Sequence, residues 1–215
     1  MNPITYAERI AYSTKRTLNH TEMWARKLRH LDGVYLEAGV AAGAQVIAML
    51  VATECKKEIW AFDSFEGIPL PSNRDDQMPG IAMLSKTEQK MLPNPGEQVL
   101  KSSGATVVSL TDFLNHITNA FGYIPEVLYT EVGWFENTVK NFNKPIAFLR
   151  LDGDLYNSTY VCLKYLFPLV VIGGGVLIDD INLNGCHEAV KDYFNEIEYD
   201  VEWMYIGEIA YFEKK

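Results

Sequence analysis

The feature that most constrains this chain is a pair of apolar runs, each ending on carboxylates. One is Phe148-Leu-Arg-Leu-Asp152-Gly-Asp154; the other is Val176-Leu-Ile-Asp179-Asp180, entered through Gly173-Gly-Gly175. Apolar runs of this kind read as parallel strands buried on both faces. In an open α/β sheet the carboxyl ends of the strands line the crevice where ligands bind. Adjacent strands would deliver Asp152, Asp154, Asp179 and Asp180 to one place. Like charges that close repel unless a cation sits between them, and an all-oxygen set suits Mg²⁺ or Ca²⁺. Capping by Asp152 or Asp154 of a helix beginning near Asn157 would account for one carboxylate, but not for Asp179-Asp180.

The remaining pattern supplies the sheet. Strands are expected at 34–38, 59–62, 127–131, 146–151, 176–178, 201–206 and 208–212. Helices are expected within 1–32, anchored by Trp24 and Leu28, and at 44–53, 111–120 (capped by Thr111 or Asp112), 158–166 and 186–196. This alternation predicts an α/β fold with a doubly wound, mostly parallel seven-stranded sheet. A closing hairpin at Gly207 makes its edge antiparallel. A length of 215 residues fits a single domain, 1–215. Between 68 and 104, Pro69, Pro71, Pro79, Pro93 and Pro95 interrupt regular structure, so a lid insertion is expected there. A surface insertion without order is the alternative.

Composition narrows the function. Net charge is −9 with no Lys/Arg cluster, which argues against nucleic acid as a partner. Neither a signal-peptide pattern nor an apolar run long enough to span a bilayer is present, so no membrane role is expected. Cys55, Cys162 and Cys186 are odd in number and widely spaced, as reduced thiols of a cytoplasmic protein would be.

A second motif sits between the first strand and its helix, Glu37-Ala-Gly39-Val-Ala-Ala-Gly43. Glycines there let a ligand approach the backbone, and the helix N-terminus offers free N–H donors. Asp63 closes the second strand at the distance where an acidic residue can hold ribose hydroxyls, which points to a nucleoside-containing cofactor. The spacing departs from G-x-G-x-x-G, and a bare strand-to-helix turn would need no ligand. Trp134 and Phe135 could flank an adenine or fill core.

Together, Tyr35-Leu-Glu-Ala-Gly-Val-Ala-Ala-Gly43, Asp63-Ser-Phe-Glu-Gly-Ile-Pro69, Gly133-Trp-Phe-Glu-Asn-Thr138, Leu151-Asp-Gly-Asp-Leu-Tyr-Asn-Ser-Thr159 and Asp179-Asp180 resemble the macrocin O-methyltransferase (TylF-like) family over about residues 33–195. The resemblance implies a Rossmann-like class I methyltransferase fold that uses S-adenosyl-L-methionine. It further implies methyl transfer, with Mg²⁺ or another divalent cation, to a hydroxyl of a sugar or natural-product acceptor. Carried over by position, Glu37, Gly39, Gly43, Asp63, Ser64, Trp134 and Asp152 would contact the cofactor. Asp152, Asp179 and Asp180 would hold the metal. Asp152 or Asp154 would be the catalytic base, because the lysine that catechol O-methyltransferases place three residues after the first metal Asp is Leu155 here. The chain departs from the family at Ala41-Ala42, where Trp-Arg is common, and at Val132, where Lys is. The alternatives are a nicotinamide-dependent oxidoreductase and a degenerate, non-catalytic S-adenosylmethionine-binding module. The charged N-terminal helices would either pair two subunits as a homodimer or bring Thr14, Lys15 and Arg16 to the active site.

Overall fold

The computed structural model describes residues 2–72, 74–75 and 100–215. Seven strands form one sheet: β1 (Val34–Ala38), β2 (Ile59–Asp63), β3 (Leu128–Val132), β4 (Ile146–Leu151), β5 (Val170–Ile178), β6 (Met204–Ile206) and β7 (Ile209–Glu213). Their order is β3-β2-β1-β4-β5-β7-β6, with β1 to β5 parallel and β7 antiparallel to both its neighbours. The expected sheet and its antiparallel edge are therefore present. Chain order reverses between β1 and β4, the switch point where such sheets bind ligands.

Alternate residues of the central strands feed two cores, as a side-chain period of two requires. Tyr35, Phe148, Leu177 and Tyr211 face helices α1 (Pro3–Ile10), α2 (Lys15–Leu28), α3 (Ala44–Ala52) and α4 (Leu110–Phe121). Leu36, Leu149, Val176 and Ile178 face α6 (Tyr156–Leu166) and α7 (Asn184–Glu196). A short helix, α5 (Phe135–Thr138), follows β3. The buried face of α2, which includes Leu18, Trp24, Ala25 and Leu28, is spent within its own chain, and Trp24 stacks on Tyr211 at 3.7 Å. The exposed face of α2 carries Lys15, Arg16, Arg26 and Lys27, with Met23 exposed among them.

Several boundaries differ from expectation. Strand β5 begins at Val170 instead of 176, because the glycines that weaken strand propensity are demanded by packing. A Cβ on Gly175 would lie 2.6 Å from Leu28 Cδ1 and 2.8 Å from the Tyr211 hydroxyl. Helix α4 is capped by Ser109, whose hydroxyl accepts from Asp112 N at 3.1 Å, and not by Thr111 or Asp112. Neither Asp152 nor Asp154 caps α6; its N-cap position is Leu155, which provides no side-chain acceptor. Most of the expected lid, residues 76–99, lies outside the described residues. Among the described residues no helix is long and apolar enough to cross a membrane.

Candidate active site

Register alone sets the row of functional residues. Ala38 pairs with Phe62 and Leu151, and Leu151 with Ile178. The next residue on each strand, Gly39, Asp63, Asp152 and Asp179, therefore comes out level at the carboxyl edge. Backbone bonds extend the ladder to hold them there: Gly39 N to Phe62 O (2.9 Å), Asp152 N to Ala38 O (2.8 Å) and Asp179 N to Leu151 O (2.8 Å). Gly39 has φ +92°, and a Cβ there would collide with the Asp152 carbonyl, so β1 and β4 can meet this closely only at glycine.

A cavity of about 420 Å³ opens over this row. Its walls include Gly39, Ala41, Asp63, Ser64, Trp134, Asp152, Asp154, Asp179 and Asp180. Of the expected cofactor residues, Gly39, Asp63, Ser64, Trp134 and Asp152 line it. Glu37 and Gly43 lie behind its wall. Gly43 starts α3 at φ +86°, and a Cβ there would sit 2.7 Å from the Phe113 ring, so its requirement for glycine comes from core packing.

Asp63 shapes the glycine-loop side of the cavity. One of its oxygens accepts from Val40 N (2.9 Å) and Ala41 N (3.1 Å), and the other from Phe65 N (2.7 Å). Its carboxylate thus ties the glycine loop to the end of β2. Burial pushes its pKa up, against the lowering pull of those three N–H groups.

The acidic side is organised by a residue absent from the expected set. Arg150 is fully buried on β4 and donates to Glu37 (2.6 Å), Asp152 (2.9 Å) and Asp179. The cation required between crowded carboxylates is in part the protein's own. Burial still pushes Glu37 up to about 8 and Asp179 up to about 7, with Arg150 pulling both down. Asp179 also accepts from Asp180 N at 3.1 Å, so both of its oxygens are engaged.

Consequently the carboxylates that converge are not quite the expected trio. Oxygens of Asp152, Asp154 and Asp180 lie within 4.8 Å of one another, while Asp179 turns to Arg150. Among the described residues no Lys, Arg or His bonds Asp154 or Asp180. Asp154 is driven well above the ordinary carboxylate range by burial and then by Asp152 and Asp180. A divalent cation would relieve that repulsion, so these residues fit one by charge and by donor type. Asp154 and Asp180 have φ +55° and +50°, and Ala41 (+42°) and Phe65 (+55°) border the same site. Non-glycine residues hold left-handed backbone only where the surroundings over-determine it.

The α1–α2 turn forms the facing wall. Tyr12, Ser13 and Thr14 line the cavity, and Gln45 Nε2 donates to Ser13 Oγ at 2.7 Å. Of Thr14, Lys15 and Arg16, only Thr14 reaches the cavity wall. Arg150 had a sequence signal, a lone charge inside an apolar strand. Tyr12 and Ser13 had none, because the chain must fold before they meet Asp152.

The family model of macrocin-O-methyltransferase (TylF) matches residues 12–215. The chain belongs to the macrocin O-methyltransferase family. Among curated members, the 8-demethyl-8-(2,3-dimethoxy-alpha-L-rhamnosyl)-tetracenomycin-C 4'-O-methyltransferase of Streptomyces olivaceus is 30% identical over 168 residues, covering 76% of this chain and 58% of that protein. The demethyldecarbamoylnovobiocin O-methyltransferase of Streptomyces niveus is 32% identical over 170 residues, covering 76% and 59%. The mycinamicin III 3''-O-methyltransferase of Micromonospora griseorubida is 29% identical over 195 residues, covering 82% and 71%. The chain thus spans less than two thirds of the first and second of these proteins. In fold it is similar to the O-methyltransferase NovP, with a TM-score of 0.75 at 24% identity over 96% of this chain and 82% of that one. It is similar also to the calicheamicin methyltransferase CalS11, at 0.70 and 18% over 95% and 80%. The macrocin O-methyltransferase family member described here therefore has the class I methyltransferase fold.

Proposed function

We propose that this chain is an S-adenosylmethionine-dependent O-methyltransferase acting on a hydroxyl of a sugar or other natural-product acceptor, assisted by a divalent cation. The observation that carries the reading is one cavity with a nucleoside-fitting half, Gly39, Asp63, Ser64 and Trp134, joined to an acidic half, Asp152, Asp154 and Asp180. Relatives named for methylation of a rhamnosyl-tetracenomycin and of mycinamicin III support the acceptor class.

When bound, S-adenosylmethionine supplies a methyl group on a sulfonium. A divalent cation on the trio supplies Lewis-acid polarisation of the acceptor hydroxyl. The rest falls to the chain. Asp63 accepts from the ribose hydroxyls, and Trp134 flanks the base. The backbone around Gly39 sets where the donor ends and so fixes the line of approach, which is much of the available catalysis. Asp152, Asp154 and Asp180 hold the cation. Asp152 or Asp154 receives the hydroxyl proton as the new C–O bond forms and the C–S bond breaks. Tyr12, Ser13 and Thr14 contribute to the cavity wall and so limit water.

The test is calorimetric titration with S-adenosylhomocysteine, with NADH as control. Micromolar binding of the thioether nucleoside is expected, weakened in Asp63→Ala by roughly tenfold, a charge-assisted hydrogen bond's worth. Binding of NADH instead would favour an oxidoreductase. Binding without Mg²⁺-stimulated turnover of any hydroxyl acceptor would favour a non-catalytic module.

A further inference from the structure

We propose that Asp75 is a positioning residue for the acidic trio, joining the first turns of α6 and α7 and so fixing how far apart Asp154 and Asp180 stand. The inference rests on the reading of that trio as an ion-holding centre. Asp75 is only 5% exposed. One of its oxygens accepts from the backbone N–H of Tyr156, the first residue of α6, at 2.7 Å. The other accepts from Ser72 N (2.8 Å) and Ser72 Oγ (2.6 Å). Because Leu155 supplies no side-chain cap, a carboxylate from far upstream takes that place, where the helix dipole also favours negative charge.

The same carboxylate is wedged against α7. A Cβ on Gly185, in the first turn of that helix, would collide with Asp75 Oδ1 and lie 3.0 Å from Tyr156 N. Asp75 therefore fills the gap between two helix starts. The loops feeding those starts carry Asp154, two residues before Tyr156, and Asp180, five before Gly185. Both aspartates hold left-handed backbone, which persists only where the surroundings over-determine it. Next door, the Arg74 guanidinium lies 3.7 Å over the Tyr156 ring and donates to Glu188 (3.2 Å) and Asp192 (2.8 Å) of α7. Tyr156 donates to Asp192 at 2.9 Å. Ser72, Arg74 and Asp75 thus cross-link the two helices beside the trio, and none of these three lines the cavity.

The full chain is compared with Asp75→Ala, Asp75→Asn, Gly185→Ala and the Asp75→Ala/Gly185→Ala double variant. Mn²⁺ affinity is read by paramagnetic resonance, S-adenosylhomocysteine affinity by calorimetry, and amide exchange at Tyr156 by mass spectrometry. Asp75→Ala and Gly185→Ala are each expected to weaken Mn²⁺ binding about 10- to 100-fold, the usual effect of losing a group that orients ligands. Nucleoside affinity should stay unchanged and exchange at Tyr156 should rise. The double variant should be no weaker than either single one, because both act on one contact. Asp75→Asn keeps an acceptor for Tyr156 and should recover most of the affinity.

A folded Asp75→Ala chain with parental Mn²⁺ affinity overturns the role, as do additive losses in the double variant. Where Asp75→Ala does not fold, Gly185→Ala must still bind Mn²⁺ more weakly than Asp75→Asn; equal affinities overturn the proposal. A parent chain that binds nucleoside but no Mn²⁺ refutes the ion-holding reading and the positioning role with it. A parent that binds both, with unaffected variants, removes only the role of Asp75.

Discussion

Arg150 donates to Glu37, Asp152 and Asp179 from a side chain with no exposure, and buried charges of this kind are costly to leave half-paired. Removing it would strand Glu37, Asp152 and Asp179 together. Arg150→Ala is expected to lose about 3–5 kcal/mol of unfolding free energy in urea titrations. Arg150→Lys should lose less, since it keeps the charge but not the forked geometry. Glu37 permits a pH test. Its folded pKa of about 8 stands above the 4.5 of the free side chain, so the folded state holds a proton the unfolded chain releases. Its contribution to stability is full below about 4.5 and is lost as pH rises through about 8. Glu37→Gln should make melting temperature fall less steeply across that window than in the parent. An equal slope would place the proton elsewhere. The aspartates at this edge could be found in the sequence because each ends an apolar run. Which of them converge could not, because that depends on Arg150 taking Asp179 out of the group.

At the scale of elements, β5 shows where propensity and packing part company. Its glycines hide the first half of the strand from a reading based on residue preference, yet Gly175 is where α2 rests on the sheet through Leu28 and Tyr211. Gly175→Ala is expected to cost about 1–3 kcal/mol from overpacking, despite the usual benefit of alanine in a strand. Chemical denaturation would check the sign, and a neutral result would mean that Leu28 and Tyr211 can shift. Strands β1 and β4 were readable in full because every residue of each is buried and their sequence is continuously apolar or paired. The cap of α6 was not readable, since its acceptor is Asp75, 81 residues away.

For the molecule as a whole, strand order does most of the assembling: residues scattered from Gly39 to Asp180 become neighbours because four strand ends come out level. Function should then divide along the row. Asp180→Asn is expected to abolish metal-stimulated turnover while leaving S-adenosylhomocysteine binding intact, because Asp180 lies on the acidic half alone. Retained stimulation by Mg²⁺ would remove it from the ion-holding set. Sheet order, and the meeting of the glycine loop, Asp63 and the aspartates at one edge, could be inferred from local patterns at strand ends. The Tyr12–Thr14 wall could not, because its place depends on how the N-terminal helices lie across the sheet.

The acidic lining has one more effect, on the direction of traffic. Asp63, Asp152, Asp154, Asp179, Asp180 and Glu208 face a single small volume. A donor bearing a sulfonium enters as a cation and leaves, its methyl spent, as a neutral thioether. Such a wall holds the first more strongly than the second. In the proposed reaction each methyl transfer would therefore weaken the hold of whatever negative charge Arg150 and the cation leave on this wall, easing product release with no moving part.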